Sequence, residues 1–295
     1  MTPSPVAIGL AGAGPWARTR YAPVFAAGPE TRLAAVWSRH PDNARPTAEA
    51  YGARLATTFA ELVDSCDAVA LCVPPAVQAE LAPIAAAANK PLLLDKPLAV
   101  DLASAQRLAA AIIESRVPTM FALTFRYSDT IRQFLADVPR FAAATGARAV
   151  MVTGSQLSGP YAESSWRHEK GVLFDEGPHI LDLVDVAFGP IVAAQVHRGR
   201  DGWTGMLLEH EGGMVSELSL ANRVGLERNQ IEVELFGASG RLHLDVVEAY
   251  TNGNVFENLR REFADVARGA AHHVDIRRAL YVQGLIDRIE RASQT

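Results

Sequence analysis

The chain has 295 residues, 21% of them charged, and a net charge of −5 at pH 7. That length buries one or two substantial cores, with about two domains as the natural expectation, and the balance of charge offers no basic excess for nucleic acid. Apolar runs are broken by Pro, Asp, Lys or Gln well short of the roughly 18 residues that a membrane span takes, and Met1 to Pro5 holds no Lys or Arg ahead of the first apolar run, so no secretory leader is expected and the chain reads as cytoplasmic.

The first run, Val6 to Ala11, is apolar at nearly every position, as in a strand buried on both faces of a parallel sheet. It leads into Gly12, Gly14 and Ala17, spaced GxGxxA: a glycine for the tight turn, a glycine for close approach of a pyrophosphate, and a small residue for packing helix on strand. Pro15 fits the first helical position, where its missing N–H costs nothing, and Trp16 follows it in the turn. Further apolar runs at Leu33–Trp37, Ala68–Val73, Leu92–Leu94 and Pro118–Ala122 alternate with helical patterns such as Leu102, Ala105, Leu108, Ala109 and Ile112. Such alternation predicts an α/β domain with a doubly wound parallel sheet over residues 1–121. Ligands on these sheets bind beyond the carboxyl ends of the strands, which singles out Gly12 to Trp16, Ser38 and Arg39, Val73 to Pro75, and Asp95 to Pro97.

The pattern changes after residue 122. A helical stretch near Ser128 to Asp137 precedes a strand-like run from Ala147 to Gly154, a helix, and several strands between about 191 and 245. Ile231, Val233 and Leu235 alternate with Glu232 and Glu234, as in a strand with one wet face, and Glu211-Gly212-Gly213 reads as a hairpin turn. Helices at roughly Val255–Arg268 and Asp275–Ala292 close the chain. Residues 122–295 are therefore expected to form an α+β domain, an open and mostly antiparallel sheet with helices on one face.

The second strand ends Val36-Trp37-Ser38-Arg39, with no acid to accept from the 2′-hydroxyl of NAD. A guanidinium fork beside a serine hydroxyl suits a 2′-phosphate, so NADP is preferred, NAD stays open, and a solvated surface arginine is the plain alternative. Two segments carry chemistry. Asp95-Lys96-Pro97 follows an apolar strand, and Pro97 restricts Lys96 so that its ammonium is aimed at the ligand edge, where it can stabilise charge on oxygen; a solvated lysine is the plain reading. Ile180, Leu183, Val184, Ala187 and Phe188 mark one face of a helix that Gly189-Pro190 stops. If that helix starts at about Asp175, Asp175 and His179 share a face, giving an acid–base histidine with a carboxylate to orient it. The plain reading makes Asp175 an N-cap and His179 a satisfied core residue. Cys66 and Cys72 read as reduced structural residues, not as a disulfide or metal site.

Together, GxGxxA at 12–17, Asp95-Lys96-Pro97, and DxGxHxxD at Asp175 to Asp182 resemble the glucose-fructose oxidoreductase, inositol dehydrogenase and rhizopine-catabolism (Gfo/Idh/MocA) family, in that family's order and over nearly the whole chain. The resemblance implies a Rossmann domain followed by an α+β domain that supplies substrate contacts and an oligomer interface through its sheet. It implies an NAD(P)-dependent dehydrogenase or reductase acting on a hydroxyl or carbonyl carbon of a sugar or polyol. Lys96, Asp175 and His179 would then be catalytic and also touch substrate, together with Arg126 and Tyr127. Gly12, Gly14, Pro15, Trp16, Ser38, Arg39, Val73, Pro74, Asp95 and Lys96 would hold the cofactor, joined by the Trp166-Arg167 pair. Asp95 stands where Glu is usual, Lys170-Gly171 replaces a glycine pair, Gln78 stands where many members carry histidine, and the second domain is trimmed. Two other activities fit the same fold: a redox-neutral sugar lyase or hydrolase with retained cofactor, and a non-catalytic NADP-responsive regulator.

Overall fold

A computed structural model describes residues 3–141, 144–159, 161–162 and 165–293. The chain forms two compact units, one of residues 1–122 with 256–283, the other of residues 123–255 with 284–295.

In the first unit, strands β1 (Val6–Ala11), β2 (Thr31–Trp37), β3 (Arg54–Leu55), β4 (Ala68–Leu71), β5 (Leu92–Leu94) and β6 (Thr119–Phe121) form a parallel sheet in the order β3-β2-β1-β4-β5-β6. This is the doubly wound Rossmann order, reversing direction between β1 and β4. Every residue of β1, β4 and β5 is buried, so neither face of the central strands is wet. Helices Pro41–Ala50, Phe59–Asp64, Pro75–Ala87 and Leu102–Ser115 fill the crossovers. Two start where a side chain takes an orphan backbone donor: Thr58 accepts from Glu61 N–H and Asp101 from Ser104 N–H. β3 has only two residues and no periodicity; it exists because Arg54 and Leu55 pair with Ala35 and Val36 of β2. Burial pushes the Cys66 thiol up to about 11, which keeps it protonated and inert.

A single division at 121/122 places both closing helices in the second domain, whereas the segment 256–283 packs within the first unit. Val274 runs beside β6, its carbonyl accepting from Phe121 N–H at 2.7 Å, and Ile276 N–H donates to Thr119 Oγ1 at 3.1 Å. Phe263 packs tilted against Phe25 with centroids 5.8 Å apart, and Arg260 pairs with Glu30 at 2.9 Å. An amphipathic helix states that it has an apolar face but not which core that face covers.

The second unit holds β7 (Ala144–Val152), β8 (Ile191–Arg198), β9 (Thr204–His210), β10 (Val215–Ala221), β11 (Gln230–Gly237) and β12 (Gly240–Asp245), in the order β12-β11-β7-β10-β9-β8. All its ladders are antiparallel except that between β7 and β10. The hairpin turn between β9 and β10 falls at 211–213, where Gly212 and Gly213 take φ of 93° and 87°. Ala147, Ala149 and Met151 of β7 face the core with Leu218 and Val233. Helices Gly177–Phe188 and Val246–Asn252 cover that side of the sheet. The sequence pattern gave no warning of the second, which Asp245 caps by accepting from Glu248 N–H at 2.9 Å. Among the described residues, no helix is long and apolar enough to cross a membrane.

Candidate active site

Four neighbouring strands of the first sheet deliver the expected residues to one edge. Gly12 follows β1 with φ +128°, and a Cβ there would lie 2.0 Å from the carbonyl oxygen of Cys72, so only glycine fits. The helix starts at Pro15, Arg18 N–H donating to Gly14 O at 3.1 Å, and Ala17 is fully buried against the sheet. A Cβ on Gly14 would meet no atom within 4 Å, so the backbone there borders open space at a helix N-terminus, which suits a phosphate. Trp16 is half-buried, held edge-on against Tyr21 at 6.4 Å and tilted against Phe256 at 5.9 Å.

Beyond β2, Arg39 is exposed and makes no ion pair among the described residues. The Ser38 hydroxyl donates to His40 O at 2.6 Å, which turns the chain at this point and commits the hydroxyl proton to the backbone. Val73 and Pro74 sit in the loop after β4, Pro74 immediately ahead of helix Pro75–Ala87. After β5, Asp95 and Lys96 are half-buried, and the Asp95 carboxylate accepts from Lys96 N–H at 2.8 Å. The residues present fit a dinucleotide: a glycine turn that excludes a Cβ on its inner side, open space over Gly14, and a free-standing guanidinium after the second strand.

In the second unit, the short turn Thr124–Tyr127 aims Arg126 at Asp182, with 3.2 Å between Nη1 and Oδ2 and side-chain exposures of 11% and 1%. Tyr127, expected to border substrate, is wholly buried, with the Arg132 guanidinium 5.9 Å over its ring. Phe125 lies 5.1 Å from the His179 ring and 6.0 Å from Tyr250, forming an apolar wall for the imidazole.

The helix carrying His179 begins at Gly177, not at Asp175. Asp175 instead ends the preceding helical segment, Ser165–Asp175, which breaks at Gly171 with φ 76° and ψ −179°. Only glycine reaches that conformation easily, which is why Lys170-Gly171 can stand for a glycine pair. The Asp175 carboxylate is 2% exposed and accepts a short hydrogen bond from Arg167. The Arg167 guanidinium lies over the rings of Trp166 at 4.5 Å and Tyr161 at 4.8 Å, and Gln156 Nε2 donates to its carbonyl at 3.0 Å. Asp175 thus has an arginine as a partner and is not the N-cap. The N-cap position is held by Glu176, whose carboxylate accepts from Thr153 Oγ1 at 2.6 Å and Ser155 Oγ at 2.7 Å, fixing the helix entry to the end of β7. Motif reading left Glu176, Phe125 and Asp182 without a role. Asp182 closes the DxGxHxxD pattern and could have been found there; Glu176 has no signal in the sequence.

The model of the oxidoreductase family with an NAD-binding Rossmann fold matches residues 6–122. The chain is 32% identical over 181 residues to D-apiose dehydrogenase from Paraburkholderia graminis, a match covering 56% of this chain and 47% of that protein, so it spans about half the length of that relative. It is 27% identical over 256 residues to dTDP-3,4-didehydro-2,6-dideoxy-alpha-D-glucose 3-reductase from Actinomadura kijaniata, covering 86% of this chain and 72% of that one. Among solved structures, GenD2 from gentamicin A biosynthesis, in complex with NAD, superimposes with a TM-score of 0.84 at 20% identity, over 100% of this chain and 95% of that chain. At that identity the likeness is one of fold.

Proposed function

We propose, on the premise that this chain is a member of the Gfo/Idh/MocA oxidoreductase family, that it is an NADP-dependent oxidoreductase acting on a hydroxyl or carbonyl carbon of a sugar or polyol. The observation that supports the reading is that one sequence carries Lys96, Asp175 and His179 at the family's motif positions as well as the glycine turn at 12–17; a pure binding module needs none of the three in that combination. The relatives are named as a dehydrogenase and a reductase of sugars, which supports the substrate class. A nicotinamide, when bound, supplies or accepts the hydride. His179 gives a proton to the developing alkoxide oxygen in reduction and takes it back in oxidation. Lys96 stabilises negative charge on that oxygen through its ammonium. Asp175, locked by Arg167, presents a fixed carboxylate to a substrate hydroxyl, and Arg126 holds the helix of His179 in place through Asp182. Tyr127, wholly buried, lies under the Arg132 guanidinium, whose Nε donates to the carbonyl of Arg126 at 2.7 Å.

The preference for NADP rests on the absence of an acid after β2 and on the open guanidinium of Arg39. One charge-assisted contact is worth about 1.5–3 kcal/mol, so Arg39→Ala should weaken NADP by about tenfold to a hundredfold and leave NAD unchanged. Titration of both cofactors into both proteins reads this, and an unaltered ratio removes the assignment. A panel of sugars, polyols and keto-sugars with NADPH and NADP tests the activity itself. Turnover with a change in absorbance at 340 nm is the expected result; product without any such change marks the redox-neutral alternative, and tight cofactor binding without product marks the regulator.

The second sheet also gives a homo-oligomer its surface. Leu207 and Val215, 42% and 43% exposed, lie on the face turned away from the helices. Light scattering on the purified protein should read a dimer or tetramer, and Leu207→Glu should shift it toward monomer.

A further inference from the structure

The ladder of β5 stops at Leu94, whose carbonyl accepts from Ala122 N–H at 2.9 Å. From Asp95 onward a single buried side chain takes over. Gln78, on the first turn of helix Pro75–Ala87, is 1% exposed. Its Oε1 accepts from Asp95 N–H at 2.7 Å, and its Nε2 donates to Asp95 O at 2.8 Å and Leu98 O at 2.9 Å, with Pro97 O at 3.4 Å. The amide therefore pairs with both polar groups of the Asp95 peptide, as a neighbouring strand would, and reaches across the loop to its far side. Lys96 lies between the two anchored ends.

We propose that Gln78 is the positioning residue for Lys96: its side-chain amide, wrapped by the backbone of residues 95–98, sets where the lysine stem leaves the loop. The proposal rests on the reading of Lys96 as catalytic only for its consequence in turnover. The chemistry of the amide suits the task. One acceptor and two donor hydrogens meet one N–H and the converging carbonyls, and no group of glutamine titrates, so the loop is held alike at every working pH. A neutral imidazole offers one donor and one acceptor, and protonation removes the acceptor that Asp95 N–H needs. Leucine, of similar volume, offers neither and leaves buried backbone groups without partners.

The chain contains three lysines, Lys90, Lys96 and Lys170, so trace acylation with acetic anhydride followed by peptide mass spectrometry reads each one separately. Lys90 donates to Cys66 O at 2.7 Å and reports the integrity of the first unit; Lys170 lies in the second. Gln78→Leu is expected to change the reactivity of Lys96 by about fivefold, the population shift that one lost buried hydrogen bond produces, with Lys90 and Lys170 as in the parent protein. Gln78→His should give an intermediate change that grows as the pH falls through the imidazole range. Parent-like Lys96 reactivity in Gln78→Leu overturns the proposal. Should Lys90 also become more reactive, that variant has lost its fold and Gln78→His decides: parent-like Lys96 beside parent-like Lys90 overturns the proposal in the same way.

Turnover of the best substrate from the panel supplies the second arm. Gln78→Leu should lower kcat by about tenfold in the parent chain and have little effect in a Lys96→Met background, because residues acting through one another are not additive. Losses that simply multiply indicate a role unconnected with Lys96 and count against the proposal. Lys96→Met with unchanged kcat fails the catalytic reading of Lys96 itself, while the labelling result still decides whether Gln78 places it.

Discussion

His179→Asn is expected to slow turnover by about 10²–10⁴-fold, the contribution of a positioned acid–base group, while NADPH affinity holds. Asparagine keeps a polar side chain in the first turn of helix Gly177–Phe188, beside Phe125, but cannot exchange a proton near neutral pH. The comparison that gives the result its meaning is Asp175→Asn. Asp175 and Arg167 form a buried ion pair with side-chain exposures of 2% and 19%, and the arginine is further held over Trp166 and Tyr161. Removing one partner of such a pair leaves a buried charge uncompensated and costs about 3–5 kcal/mol, the lower end suiting a partly wetted arginine. Asp175→Asn should therefore lower both the thermal midpoint and kcat, His179→Asn kcat alone. Parent-like kcat in His179→Asn takes that residue out of the proton transfer.

Gly12→Ala and Gly14→Ala, two residues apart in one turn, should fail in opposite ways. At Gly12 the added methyl carbon would lie 2.0 Å from the carbonyl oxygen and 2.8 Å from the carbonyl carbon of Cys72, and φ is +128°. Neither neighbour can give easily, because Gly12 N–H donates to Trp37 O and Cys72 N–H to Ala11 O, both at 2.8 Å. Backbone strain of this kind costs about 1–3 kcal/mol before the clash is relieved, so Gly12→Ala should unfold the first unit at lower temperature, with or without cofactor. At Gly14 there is no atom within 4 Å and no unusual φ. Gly14→Ala should keep the parent thermal midpoint and lose cofactor affinity, since its methyl group occupies the space a pyrophosphate approaches. Calorimetry on the unliganded proteins separates the two; a Gly14→Ala variant that binds NADP as the parent does would place the pyrophosphate elsewhere.

The parallel sheet was legible in the sequence because strands buried on both faces must be apolar throughout, and β1, β4 and β5 are. The glycine turn was legible for a similar reason: a position that admits no Cβ has one solution. The short β3, the helix Val246–Asn252 and the placing of residues 256–283 with the first unit were not, because each is decided by a partner distant in sequence. The candidate site divides along the same line. Lys96, Asp175 and His179 stand out as residue types at set spacing, which a linear chain records. That Asp175 closes one helical segment under Arg167, that Glu176 takes the next N-cap position bound to Thr153 and Ser155, and that Gln78 holds the loop of Lys96 were decided by tertiary structure alone. Amides and carboxylates have no periodicity of their own; what they do is fixed by the backbone groups that folding leaves unpaired around them, and those groups are settled only when the chain has closed on itself.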